Sequence, residues 1–192
     1  MLETTRPLGV TAILILMACS APEAGEPTDQ TGDAAVELRL DDLRGTVETL
    51  HEKFTALAAA MPESDLDYSP MEGVRSVSEV YIHVAADNFY VPALMGWDAP
   101  EGTGVTEDVA TFRSYQQRTM SRDDMLAALD ASFEFFLSSM AESEGALDRE
   151  VELGSPTTVG DVWIRATVHL HEHLGQSIAY ARSNEVVPPW SR

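Results

Sequence analysis

The chain has 192 residues, 44% of them hydrophobic, enough for the core of one ordinary domain and a squeeze for two. Asp and Glu outnumber Lys and Arg by 32 to 12, a formal charge of −20, and no basic cluster follows a phosphate backbone, so nucleic acid is excluded as a partner and adsorption to anionic lipid is disfavoured. Cys19 is the only cysteine, which excludes an internal disulfide, a thiolate nucleophile or a zinc-thiolate site in the folded body and leaves any metal to His and carboxylate ligands.

The N-terminal run Leu8 to Ala18 has the length of a signal-peptide apolar region and is short for a bilayer span. Leu16-Met17-Ala18-Cys19 resembles a bacterial lipobox, although Glu3 stands beside Arg6 in the leader and Met17 occupies a position more often small. The resemblance implies a lipoprotein signal peptide at residues 1–18, a lipidated Cys19, and an exported protein of the bacterial cell envelope whose contact with the membrane is the lipid anchor alone. Residues 20–34 are rich in Pro, Gly, Glu, Asp and Thr with almost nothing to bury. A flexible tether is therefore expected over residues 19–35, with the folded domain at 36–192.

In that domain Leu40, Leu43, Val47, Leu50, Phe54, Leu57 and Met61 recur at alternating spacings of three and four, the seam of an amphipathic helix that Pro62 ends. Ser76 and Glu79 form a Ser-x-x-Glu capping box opening a second helix that runs to about Gly96. A shorter helical piece fits Val105 to Gln117. Ser121, with Asp124 three residues on, starts a further helix carrying Leu126, Leu129, Phe133, Phe136 and Met140. The last helix begins near Thr158, with Asp161 as reciprocal cap, and reaches about Ser183 ahead of Pro188 and Pro189. With no convincing alternating strand pattern, the expected class is all-α, a four-helix bundle with long connections.

Three histidines stand close together in the last helix. Successive helical residues are about 100° apart, so His169 and His173 lie about 40° apart on one face, and His171 faces away from both. The row Val162, Ala166, Leu170, Leu174, Ile178 faces the core, which puts the row Arg165, His169, His173, Ser177 at its border. Two imidazoles at this spacing suit a metal; the structural alternative is one histidine hydrogen-bonded in the core and one wetted at its rim. His83, beside Val80 and Val84 in the second helix, is either a third ligand or a satisfied core histidine. Asp87, one turn on, is a fourth ligand, an acceptor orienting His83, or a solvated surface residue. His51, flanked by Glu52 and Lys53, reads as ordinary surface.

The stretches SVSEVYIHVAADN and HLHEHLGQSIAYARSNEVVPPW together resemble the DinB-like superfamily of four-helix metal proteins, over the whole domain from about Val36. Residues 70–77 resemble its approach to the second helix, and the closing motif of that family falls on His169, His173, Gly175 and Gln176. The sequence departs from the pattern at Leu174, commonly Arg, and at Glu172, often His, neither of which is a ligand in the family. The resemblance implies that His83, His169 and His173 bind a divalent metal ion, zinc or nickel from the nitrogen donors, with water completing the coordination. It further implies a metal-dependent thiol transferase acting on a small molecule, and homodimers formed through helix faces; a hydrolase using a metal-bound hydroxide is open on chemical grounds, given a general base near the metal. Asp87 is the better placed general base, because Glu172 points away from His173. The competing reading is a non-catalytic envelope binding protein stabilised by its metal.

Overall fold

A computed structural model describes residues 31–191, with side chains described from residue 40 onward. The signal-peptide segment, Cys19 and the tether as far as residue 30 lie outside the described residues.

Helix α1 spans Thr31–Ala60 and so opens inside the stretch whose composition suggests a tether. Leu40, Val47, Leu50, Phe54, Leu57 and Met61 are buried along its seam, and Leu43 packs against the core from a half-buried position. Met61 closes the helix with its N–H on the Leu57 carbonyl, and Pro62 cannot extend it.

Helix α2, Val77–Leu94, starts from a complete capping box: the Glu79 N–H donates to Ser76 Oγ at 3.3 Å and the Ser76 N–H to Glu79 Oε2 at 2.7 Å. It ends two residues before Gly96, whose φ of 96° is a left-handed conformation open to glycine at little cost. Val77, Val80, Tyr81, Ile82, Val84, Ala85, Ala86 and Phe89 are all buried, so apolar contact surrounds the helix on nearly every side. That is why His83 lies deep: α2 is the central helix, packed against three others.

The polar stretch after it contains α3, Val109–Gln116, capped by Asp108. Helix α4, Arg122–Glu142, is capped by Ser121 as its sequence suggests. Between α4 and the last helix lies an element that sequence periodicity does not reveal, an antiparallel hairpin of β1, Glu150–Glu152, and β2, Pro156–Thr158. Strands of three residues are too short to show alternation, and the turn rests on Gly154 at φ 73°. The hairpin hands Thr158 directly to α5, Val159–Ser183, as its N-cap. Asp161 is not the reciprocal cap; its carboxylate accepts from the Thr157 hydroxyl at 3.5 Å instead.

The described residues thus form an all-α fold with one small hairpin. Helix α1 packs on α4 and α5, and α2 on α3, α4 and α5. Phe54, Phe133, Phe136 and Trp163 fill the centre, with the Trp163 indole N–H donating to Ser143 Oγ at 2.9 Å. Among the described residues no helix is long and apolar enough to cross a membrane. His51 is not ordinary surface: its ring stacks on Phe133 at 4.9 Å and its Nε2 meets Asp130 at 2.6 Å, joining α1 to α4.

Ser76→Ala removes the acceptor for the Glu79 N–H at the start of the helix that carries His83. A loss of about 1 kcal/mol in unfolding free energy is expected, measured by urea denaturation with an unchanged m-value.

Candidate metal centre

His83 lies two turns into α2, with Asp87 one turn further along, and His169 and His173 occupy consecutive turns of α5. The packing of α2 on α5 brings all four to one point, where one donor atom from each lies within 4.8 Å of the others. Asp87 Oδ2 is 3.1 Å from His83 Nε2 and 3.0 Å from His169 Nε2, and the Nε2 atoms of His169 and His173 are 3.1 Å apart. The three rings stand nearly perpendicular to one another, at 84°, 86° and 89°. His171 is exposed and turned away, its Nδ1 on the Thr167 carbonyl of its own helix at 3.0 Å.

The opposite ring nitrogens decide what the Nε2 atoms present. His83 Nδ1 faces Gln116 Oε1 at 2.9 Å and His173 Nδ1 faces Gln176 Oε1 at 3.0 Å. Gln176 is oriented in turn, because its amide nitrogen donates to the Tyr180 hydroxyl at 2.9 Å, which donates to the Arg75 carbonyl at 3.2 Å. With both amide oxygens accepting, Nδ1 carries the proton on both rings and Nε2 is left as a lone pair. His169 Nδ1 has the Glu172 carboxylate at 3.5 Å, so Glu172 supports the ring from its outer side and stays away from the convergence point.

Burial pushes the His83 imidazole down to about 4, against the pull of Asp87, and burial lowers His173 as well. Both therefore stay neutral, the form that binds metal. His169 moves up, chiefly through its hydrogen bond to Asp87 with burial opposing, and its side chain is 43% exposed. A proton on its Nε2 and a metal ion would compete for the same lone pair.

The donor set fits a divalent transition metal. Imidazole nitrogens suit a divalent transition metal, whereas calcium and magnesium take oxygen. Bonds of roughly 2.1 Å put neighbouring ligands about 3.0 Å apart when they subtend a right angle, close to three of the separations found, at 3.0 and 3.1 Å, with all four donors within 4.8 Å of one another. The sequence leaves Asp87 open as a fourth ligand, an orienting acceptor or a solvated surface residue; the structure brings its carboxylate to the same point as the three histidines. Gln116, Tyr180 and Arg75 carry no sequence signal for this site, and only the i, i+4 spacing of Gln176 from Tyr180 hints at their contact.

The family model for the DinB superfamily matches residues 46–177. The chain belongs to that superfamily. His83, Asp87, Gln116, His169, His173 and Gln176 all fall inside the matched segment. The fold is similar to the crystal structure of a DinB-like protein, YjoA, from Bacillus subtilis, with a TM-score of 0.58 and 19% identity over 76% of this chain and 94% of that one. No curated protein matches the chain.

Burial of a neutral His83 ties stability to pH. Above its ordinary value of 6.5 neither folded nor unfolded chain protonates it; between 6.5 and about 4 the unfolded chain takes the proton first, so the metal-free fold loses stability as pH falls through that window. His169 acts in the opposite sense. The unfolding free energy of metal-free His83→Gln is expected to fall less than wild type between pH 7 and 4.5; equal losses would show that the folded chain protonates His83 as readily as the open one.

Proposed function

We propose that this domain holds one divalent metal ion on Nε2 of His83, His169 and His173 with Asp87 Oδ2, and that the ion serves a transferase or hydrolase reaction on a small molecule. The observation that carries the reading is electrostatic. With Nδ1 of His83 and His173 donating outward, the convergence point collects lone pairs and a carboxylate with no fixed donor among them, an arrangement that a cation resolves. In this reading α1, α2, α4 and α5 are the four helices of the bundle, and α3 is the part of a long connection that delivers Gln116.

When bound, the ion supplies Lewis acidity and lowers the pKa of the water or thiol it takes up. The protein's own part is to keep His83 and His173 neutral, to hold all three rings by their outer nitrogens, and to leave one side open at the half-exposed His169. Asp87, shared between two imidazoles, serves as a ligand and not as a free general base. The lipobox-like run ending at Cys19 supports an exported, membrane-anchored location, where cytosolic thiol cofactors are scarce; that favours hydrolysis or an unfamiliar thiol.

A second reading has its own supporting observation. Four donors satisfy a four-coordinate ion outright, as in sites that only stabilise a fold. Cobalt loading separates the two: a visible spectrum that changes on adding a small thiol marks an open coordination position and the catalytic reading, and an unchanged spectrum marks the closed, structural one.

Residues 20–192 are expected to bind one equivalent of zinc or nickel by elemental analysis and to melt higher with it, while His83→Ala and His169→Ala lose both effects. Full metal retention in either variant would remove that residue from the site. Gln116→Ala leaves the donors in place but frees the outer nitrogen of His83, so metal affinity is expected to fall by roughly 10- to 100-fold in a competition titration.

A further inference from the structure

The connection before α2 carries a cation that touches a residue supporting the candidate site. Arg75 Nη2 donates to Gln116 Oε1 at 3.2 Å, the same oxygen that accepts from His83 Nδ1. Its backbone carbonyl accepts from Tyr180 at 3.2 Å, which fixes the main chain there whatever the side chain does. The guanidinium is close enough to His83 and His173 to oppose their protonation. Among the described residues it pairs with no carboxylate, as is true of every described Lys and Arg side chain but Arg44.

Arg75 also lines a cavity of about 340 Å³, together with Gly73, Val74, Glu79 and Gln116. The one acidic group in that lining, Glu79, is committed to the helix cap by its 2.7 Å bond from the Ser76 N–H. Gly73, at φ 82°, has nothing within 4 Å of where a Cβ would stand, and it and Arg75 are both exposed, so the pocket opens to solvent. A neighbouring guanidinium with one neutral partner keeps several N–H donors for a ligand, and its flat fork matches a carboxylate or phosphate.

We propose that Arg75 is a substrate-recognition residue, binding the oxyanion of a small molecule in the surface pocket whose wall, Gln116, also supports His83. The proposal rests on the metal reading of that centre and names the substrate class: a compact molecule bearing a carboxylate or a phosphate. In a protein of charge −20, an arginine beside the site selects an anion that most of the surface repels.

The test uses the full-length protein in detergent, loaded with zinc, titrated calorimetrically with succinate, with inorganic phosphate and with uncharged succinamide. Wild type is expected to bind succinate or phosphate, the tighter of the two identifying the oxyanion, and to ignore succinamide. Arg75→Gln is expected to keep its zinc and lose at least tenfold in affinity, and Arg75→Lys to fall between. Equal anion binding in Arg75→Gln, no anion binding in wild type, or succinamide binding as well as succinate overturns the proposal. Failure of the metal reading shows separately, as no zinc uptake by wild type; the same titrations on the metal-free chain then still decide whether Arg75 holds the anion.

Discussion

The structure turns on a mutual repulsion. Nε2 of His83 and His173 are lone pairs because their Nδ1 atoms are spent on Gln116 and Gln176, and both point toward the Asp87 carboxylate and the ring of His169. Nothing within that group can donate unless a proton sits on His169, and the bond from His169 to Asp87 is what favours such a proton. A buried cluster of acceptors costs free energy unless a cation enters it. The fold holds the cluster together regardless, because each member stands on a long helix anchored by its own apolar face.

Those helices explain the precision of the site. His83 rides on α2, buried on nearly every side, so its ring has little freedom. His169 and His173 sit on a helix whose core edge includes Val162, Trp163, Leu170 and Leu174. A site built on two packed helices keeps its geometry better than one built on loops. Only the supporting residue Gln116 comes from a connection, and it is held by two bonds, one to His83 and one to Arg75. The outermost of the four groups, His169, is also the most accessible, so the site opens to solvent on that side.

How much of this the sequence discloses depends on whether a feature is local. Periodicity and caps are local: the seam from Leu40 to Met61, the Ser76–Glu79 box and the caps at Ser121 and Thr158 are found where the residues suggest them. The i, i+4 pair of His169 and His173 is local too, and so is the exclusion of His171. Contacts between elements are not. The position of His83 beside Val80 and Val84 leaves it either a third ligand or a core histidine, and only resemblance to a family favours its meeting with the α5 pair, since no spacing links positions 83 and 169. Gln116 reaches the site from a separate helix with no pattern to announce it. His51 shows the reverse error: charged neighbours at Glu52 and Lys53 imply exposure, yet α4 supplies Asp130 and Phe133 to cover the ring. The hairpin of β1 and β2 escapes because three residues per strand give periodicity nothing to act on.

Asp87 and Glu172 show why position outranks residue type at such a site. Both are carboxylates within one turn of a histidine, and sequence alone treats them as rival candidates for one role. Asp87 shares α2 with His83 and is largely enclosed, so its single negative charge falls among the inward nitrogens. Glu172 is on α5 with a side chain 70% exposed, and it meets His169 only at the outward Nδ1. One carboxylate therefore completes the set of donors and offsets a charge entering it, while the other polarises a ring from water, where its field is screened. The shorter side chain on the central helix is the one that can ligate; the longer one on the rim can only orient.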